Sequence, residues 1–92
     1  QQIVLDAFRE VENALGSELA LSSQEKATES ALDAARIAER GTLLDYEAGL
    51  VEILTLLEAQ RRRFSTEEAL IQVKVLRRQN RISLALALAK AV

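Results

Sequence analysis

The feature that most constrains this sequence is the absence of proline from all 92 residues. Apolar residues recur at steps of three and four on both sides of Gly49, the spacing of one face of an α-helix. Glycine is common just past a helix end, because it tolerates the left-handed backbone. We therefore predict an all-α fold, a long antiparallel hairpin of the coiled-coil type, as one segment with helices over about 2–46 and about 51–89 and a tip at 47–50.

The apolar pattern of the second helix forms two lines. The main stripe consists of Leu50, Leu54, Leu57, Phe64, Ile71, Val75 and Ile82. A second line recurs every fourteen residues on its flank, at Leu56, Leu70 and Leu84. Two lines make a wide apolar arc, so we expect this helix to contact neighbours on more than one side, with the second line uncovered in an isolated hairpin. Arg61 and Glu68 interrupt the main stripe and are expected to help fix the register.

The first helix carries one stripe near its start, at Val4, Phe8, Val11 and Leu15. Farther along, its apolar positions are mostly alanine, which lets a neighbouring helix approach closely. At the other end of the chain, residues 82–89 alternate with a period of two, as a strand would. We predict a helix there, because alanine and leucine lead the helix scale and β-branched residues are nearly absent.

Charge is distributed unevenly along the chain. Residues 1–49 hold ten acidic and four basic side chains, and residues 50–92 hold four acidic and eight basic ones. Two arginine clusters, 61–63 and 77–81, lie in the basic half. Pairing with the acidic helix is the favoured interpretation, and contact with nucleic acid or anionic lipid is disfavoured by the net charge of −2 and by the lack of interleaved aromatic residues.

The composition argues against catalysis. There is no histidine and no cysteine, so the common nucleophile–base pairs and transition-metal sites cannot be assembled. The adjacent Glu67 and Glu68 point in different directions, and Glu25 and Glu29 are typical of a solvated helix face. We predict no enzyme activity, no cofactor and no metal site. The longest uncharged run near the end, 82–89, is far shorter than the ~20 residues of a membrane-spanning helix.

Two segments carry a resemblance to a known family. Tyr-x-x-Gly-Leu-Val at 46–51, with Leu-Thr-x-Leu-Glu-Ala-Gln-Arg at 54–61, resembles the periplasmic tip of outer-membrane factors, the TolC-like exit ducts of bacterial efflux and secretion systems. Upstream, Ala-Phe-Arg-Glu-Val-Glu-Asn-Ala-Leu at 7–15 is similar to a segment of the same family. Downstream, similar residues are Phe64, Ala69-Leu70 and Gln79-Asn80-Arg81. The resemblance covers nearly the whole chain, in the family's order and spacing.

The resemblance implies a piece of a larger, trimeric duct in the outer membrane, with this segment in the periplasm. Its role would be passive: drugs, solutes or proteins would pass from an inner-membrane pump and a periplasmic adaptor to the exterior. Membrane contact would come only from other parts of the protein, and no nucleic acid is implied. The alternative is an autonomous coiled-coil oligomerisation module, but shared periodicity alone would not reproduce segments 7–15 and 46–61 at the right separation.

The resemblance also implies site residues. Tyr46 matches a tyrosine that links the inner coiled coils at the closed entrance of the duct. The acidic positions that narrow this entrance match Thr55 and Glu58, and an arginine of the network in some members matches Val51. The gate would therefore have fewer links, with Glu58 as its main acidic element. The tip residues that would contact the adaptor are Ala48, Gly49, Leu50 and Val51.

Overall fold

The structure, a computed structural model that describes residues 2–92, contains two helices and no strand within that range. Helix α1 spans Gln2–Glu47 and helix α2 spans Ile53–Ala91. The all-α hairpin is confirmed. The alternating run at 82–89 is helical, as predicted from its alanine and leucine content. Helix α2 begins and ends two residues later than the sequence pattern indicates.

A tight turn joins the two helices. Gly49 has a φ of +76°, the left-handed backbone that glycine adopts without a steric penalty. The backbone N–H groups of residues 48–50 donate to the carbonyls of Leu44, Tyr46 and Asp45 at 3.0, 3.0 and 2.8 Å. These bonds satisfy the last carbonyls of α1 in the Schellman arrangement. The reversal of the chain therefore depends on the glycine at position 49.

The chain divides into two compact units, each of which pairs a segment of α1 with a segment of α2. The terminal unit comprises the first segment of α1, up to Glu25, and Gln72–Val92. The tip unit comprises Lys26–Ile71 and includes the turn.

In the terminal unit, the buried residues follow heptad spacing along both helix segments. The fully buried positions are small or β-branched: Ala7, Ala14, Val73 and Ala87. The half-buried positions between them continue the steps of three and four, at Val4, Val11, Glu18, Leu21, Glu25, Arg77, Asn80, Leu84 and Ala91. Together they form the seam of this unit, in which charged and apolar residues alternate.

The tip unit has a seam of the same kind. Its fully buried residues are Leu32, Ala35, Leu56 and Leu70. Half-buried residues continue the heptad spacing at Thr28, Glu39, Thr42, Ala59, Arg63 and Thr66. Alanine and threonine at many of these positions favour close approach of the two backbones.

The prediction of which line of α2 faces α1 was wrong. Leu56 and Leu70, expected to remain uncovered, are only 5% and 9% exposed. The main stripe faces solvent instead, with Phe64 and Ile71 about 60% exposed (58% and 60%). The physical reason is that arginines occupy every other heptad position of the seam, so a count of apolar residues favours the other face of the helix.

Two related expectations change with it. Val4 and Val11 of the first stripe are half-buried, whereas Phe8 and Leu15 are exposed. Arg61 and Glu68, expected to fix the register, lie on exposed positions of α2. The charged residues within the seams are others, and they are described below.

Candidate functional site

The tip exposes apolar side chains on both sides of the turn. Ala48, Gly49 and Leu50 are exposed and Val51 is half-buried. Leu50 is 73% exposed, although burial of a leucine side chain is favourable in free energy. Further exposed apolar residues of the tip unit lie next to the turn in sequence: Leu43, Leu44, Ile53 and Leu54. The four residues that the resemblance implies as the contact with the adaptor thus belong to a larger exposed apolar surface around the turn.

Thr55 and Glu58 lie together in a shallow groove of the tip unit. The other lining residues are Ala35, Ala38, Thr42, Ala59 and Arg62. The groove holds about 180 Å³, which is less than the ~300 Å³ at which small-molecule pockets begin. The alanine-rich part of α1 and the first turns of α2 both contribute to its lining. The groove is therefore a surface feature that offers one carboxylate, and it does not enclose an organic ligand.

The carboxylate of Glu58 has no ion-pair partner among residues 2–92 and is exposed. Tyr46 does not line this groove; it lies in the last turn of α1, with 39% of its surface exposed. Its backbone carbonyl accepts the Gly49 N–H at 3.0 Å. The structure thus brings Thr55 and Glu58 together and places Tyr46 at the turn.

A cluster of four charged side chains lies at the seam of the terminal unit, with Glu18, Glu25 and Arg77 in the seam and the exposed Arg81 beside it. The Arg77 guanidinium lies 2.7 Å from Glu18 through Nε and 3.5 Å from Glu25 through Nη1. Arg81 approaches the same Glu18 oxygen at 3.4 Å. The hydrogen bond from Arg77 is the main cause that lowers the pKa of Glu18, and Arg81 adds to it. In return, Glu18 raises the pKa of Arg77.

The seam of the tip unit contains a second cluster. Arg63 donates to Glu39 at 2.8 Å and to Glu67, one turn along α2, at 2.6 Å. Arg36 of α1 lies 3.5 Å from the same Glu67. The hydrogen bond to Glu39 is the largest cause that raises the pKa of Arg63, and the bond from Arg63 lowers the pKa of Glu67. The Arg63 guanidinium also lies 5.7 Å from the centre of the Phe64 ring.

The expected pairing of the arginine clusters with acidic residues of the other helix is confirmed for Arg63, Arg77 and Arg81. That two of these arginines would lie inside the seams was not predicted. A signal was present, because Arg63 and Arg77 stand midway between the leucines of the fourteen-residue line, at the heptad positions that the leucines leave open.

A third surface runs along the side of α2 that faces away from the seams. We call it the outer stripe: Leu54, Leu57, Phe64, Ile71, Val75 and Ile82. At about 103° per residue in a heptad helix, its centre lies roughly 150° around α2 from the seam. All six residues are exposed, in each unit considered by itself. Residues 2–92 thus leave a second heptad line of apolar side chains without cover.

The described residues provide neither the ligand cluster of a metal site nor the apolar stretch of a membrane span. Residues 2–92 contain no group of three or more acidic, histidine or cysteine side chains arranged to hold a metal ion. Neither α1 nor α2 contains a stretch that is long and apolar enough to cross a bilayer.

Comparison with known proteins gives consistent matches over almost the whole chain. Residues 1–90 match the sequence profile of the family described as outer membrane efflux protein. The chain is 33% identical over 88 residues to the protein named "Cation efflux system protein CusC" of Escherichia coli strain K12, and 32% identical to the protein of that name in Escherichia coli O157:H7. Each match covers 96% of this chain but 19% of the relative, so the chain spans about a fifth of their length. No solved structure matches it.

Proposed function

Because this chain belongs to the outer membrane efflux protein family, we propose that it forms one helical hairpin in the periplasmic wall of a trimeric outer-membrane duct. The duct conducts solutes passively, after an inner-membrane pump has delivered them. The 33% identity to a cation efflux protein supports cations as one class of solute. The chain itself has no histidine, cysteine or methionine, so its contacts with a cation would be made by oxygen atoms.

The observation that carries the proposal is the uncovered outer stripe. Exposed apolar area is unfavourable by about 25 cal/mol per Å², and large apolar side chains exposed at heptad spacing in each unit mark an interaction surface. A helix that buries one heptad line against its own hairpin partner and presents another on its far side needs a second neighbour. A closed ring of hairpins supplies that neighbour to every α2 helix.

We assign the gate and the contact with the adaptor to the tip unit. The unpaired, exposed carboxylate of Glu58 supports a role in attracting cations, with Thr55 beside it as an uncharged neighbour. Tyr46 at the end of α1 would link neighbouring hairpins at the same level. The exposed apolar residues at 48–51 and next to them are suited to the hairpin ends of a periplasmic adaptor.

The test uses the full-length protein that carries this segment, purified in detergent. We expect a trimer by mass measurement and ion conductance after reconstitution in a planar bilayer. The competing function, a coiled-coil oligomerisation module, predicts an oligomer whose parent protein conducts no ions. Absence of conductance from a well-folded full-length protein would contradict the duct.

A further inference from the structure

The charges of the seams follow a pattern along the two helices. In α2, the heptad positions of the seam alternate in the order Leu56, Arg63, Leu70, Arg77, Leu84. In α1, the corresponding positions read Val4, Val11, Glu18, Glu25, Leu32, Glu39. Charged positions alternate with leucines in α2 but not in α1. Only a few alignments of the two helices therefore bring the arginines of α2 next to the glutamates of α1.

The observed alignment places one arginine between two glutamates. Arg77 reaches Glu18 at 2.7 Å and Glu25 at 3.5 Å, and these glutamates occupy consecutive heptad positions of α1. The three side chains are only 18–23% exposed. A guanidinium has several donors in a rigid fork, so a single arginine can bind both carboxylates at once. We call this arrangement the arginine bridge.

A shift of α2 by one heptad in either direction would break the bridge. In one direction, Arg77 would lie between Glu25 and Leu32. Leu84 would then lie between the two glutamates, so that no seam arginine would remain beside Glu18.

In the other direction, Arg77 would lie between Val11 and Glu18. Leu70 would then lie between the two glutamates, and Leu56 would replace Arg63 beside Glu39. Each slipped alignment leaves one half-buried glutamate, Glu18 or Glu39, beside a leucine and without a seam arginine, which is unfavourable.

An asparagine strengthens the same choice. The Asn80 side chain donates a hydrogen bond to the backbone carbonyl of Ala14 at 2.8 Å, across the seam. The alanine side chain leaves room for this approach. A shift of one heptad in one direction would bring Leu21 to this position, and the leucine side chain would block the carbonyl. In the tip unit, Arg63 bonded to Glu39 provides a second charged pair in the seam.

We propose that the seam charges, with the arginine bridge foremost, select the register in which α1 and α2 pair. Polar residues at a few heptad positions specify alignment at a cost in stability, whereas an entirely apolar seam accepts several alignments. The register in turn decides which part of the outer stripe of α2 lies level with which part of α1. The role goes beyond lining or gating a duct and is independent of both.

The chain has no cysteine, so pairs of introduced cysteines can report the register cleanly. Glu10 and Lys90 approach to 3.6 Å between the two helices and are more than half exposed. Cysteines at 10 and 90 therefore report the observed register. Ser17 and Ser83 each lie one heptad away and are exposed, so the pairs 17 with 90 and 10 with 83 report the two slipped registers. Only cross-linked product at monomer mass is counted.

The wild-type sequence is expected to cross-link positions 10 and 90 at least about tenfold faster than either slipped pair, as a specified register requires. The leucine-seam variant replaces five charges by leucine: Glu18, Glu25, Glu39, Arg63 and Arg77. It should remain helical by circular dichroism, with the three pairs cross-linking within about threefold of one another. A leucine-seam variant that keeps the tenfold preference would overturn the proposal.

A matched control removes the same number of charges of each sign outside the seams. It replaces exposed residues by glutamine, at Glu12, Glu29, Glu52, Arg9 and Arg78. Its cross-linking should remain on positions 10 and 90. If the control loses the preference as well, overall charge sets the register and the proposal is wrong.

A second pair of variants keeps the question decidable if the leucine-seam variant aggregates. Arg77→Glu sets three carboxylates together and should lower the yield of the 10–90 product by about tenfold. Reversing all four charges of the cluster, at Glu18, Glu25, Arg77 and Arg81, should restore it. An unchanged yield in Arg77→Glu, or no restoration by the reversal, contradicts selection by the bridge.

Discussion

At the scale of single residues, Arg63 and Arg77 show how a charged side chain occupies a seam position. Each is half-buried and meets carboxylates with its guanidinium, at 2.6–2.8 Å for the shortest bonds. One buried oxygen atom of the cluster lacks a hydrogen bond within the described residues. The second oxygen of Glu18, Oε2, is buried and accepts no hydrogen bond from residues 2–92. The cluster therefore favours one geometry over others more than it adds to stability.

Because the pKa of Glu18 is lowered in the folded chain, the free energy of unfolding decreases at acidic pH. A depressed pKa in the folded chain stabilises it above the unfolded value of about 4.3, and this contribution is lost as the pH falls through the folded pKa. The raised pKa of Arg77 acts only at strongly alkaline pH. We expect the thermal midpoint, followed by circular dichroism, to fall as the pH is lowered below about 4.

Glu18→Gln should lower the midpoint at pH 7 and make its dependence on acidic pH shallower than in the wild-type chain. Glu12→Gln is the control, because Glu12 is exposed and lies outside the seam. Equal pH profiles for the wild type and Glu18→Gln would show that the cluster contributes nothing to the acid dependence.

Glu58 permits a test of the proposed gate in the trimer that we propose for the full-length protein. It lies nine residues past Gly49, and threefold symmetry would bring three copies towards one axis. Three carboxylates close together repel one another and attract divalent cations, which offset that repulsion when bound. Glu58→Gln should therefore weaken the block of conductance by divalent cations in a planar bilayer. Thr55→Val, which changes no charge, is the control; unchanged block in Glu58→Gln would remove Glu58 from the gate.

At the scale of the helices, simple features of the sequence were enough to predict the two helices and the turn that joins them. Absence of proline, helical spacing and one glycine predicted two helices and the turn at Gly49. The face of α2 that pairs with α1 could not be read in the same way, because the outer stripe holds more large apolar residues than the seam. Charged residues such as Arg77 enter the seam only because partners on α1 neutralise them, and this depends on both helices at once.

Gly41 and Gly49 have different roles, and this gives a paired prediction. Gly49→Ala should destabilise the chain by about 1 kcal/mol, since alanine resists the left-handed backbone. Gly41 lies inside α1, where an added Cβ would meet no atom within 4 Å apart from its chain neighbours and the backbone of its own helix. Gly41→Ala should stabilise the chain by about 0.5–1 kcal/mol. Thermal unfolding measures both, and shifts of the same sign would contradict these roles.

The candidate site was predictable only where it lies close together in sequence. Thr55 and Glu58 are one turn apart, and the structure places them in one groove. That alanines of α1 also line the groove depends on the pairing of the helices, which local spacing does not determine. The same holds for Glu18 and Arg77, which are 59 residues apart.

At the scale of the whole molecule, the outer stripe predicts association. We expect the 92-residue chain to sediment as an oligomer at micromolar concentration, since each covered Å² of apolar area contributes about 25 cal/mol. Phe64→Gln with Ile71→Gln should weaken this association by at least about tenfold and leave the helical content unchanged. Ser65→Gln, an exposed neighbour, should have no effect. A monomeric, helical wild-type chain would mean that the stripe does not drive association.

Heptad seams also restrict how such a chain can change in length. One residue inserted into α1 or α2 turns every following position by about 100°, which would carry the seam towards solvent and the outer stripe towards the partner helix. Seven residues complete two turns of a supercoiled helix and preserve both faces. Related hairpins of other lengths should therefore differ by whole heptads, added to both helices together. Insertions and deletions of other sizes should be confined to the turn between Glu47 and Ile53.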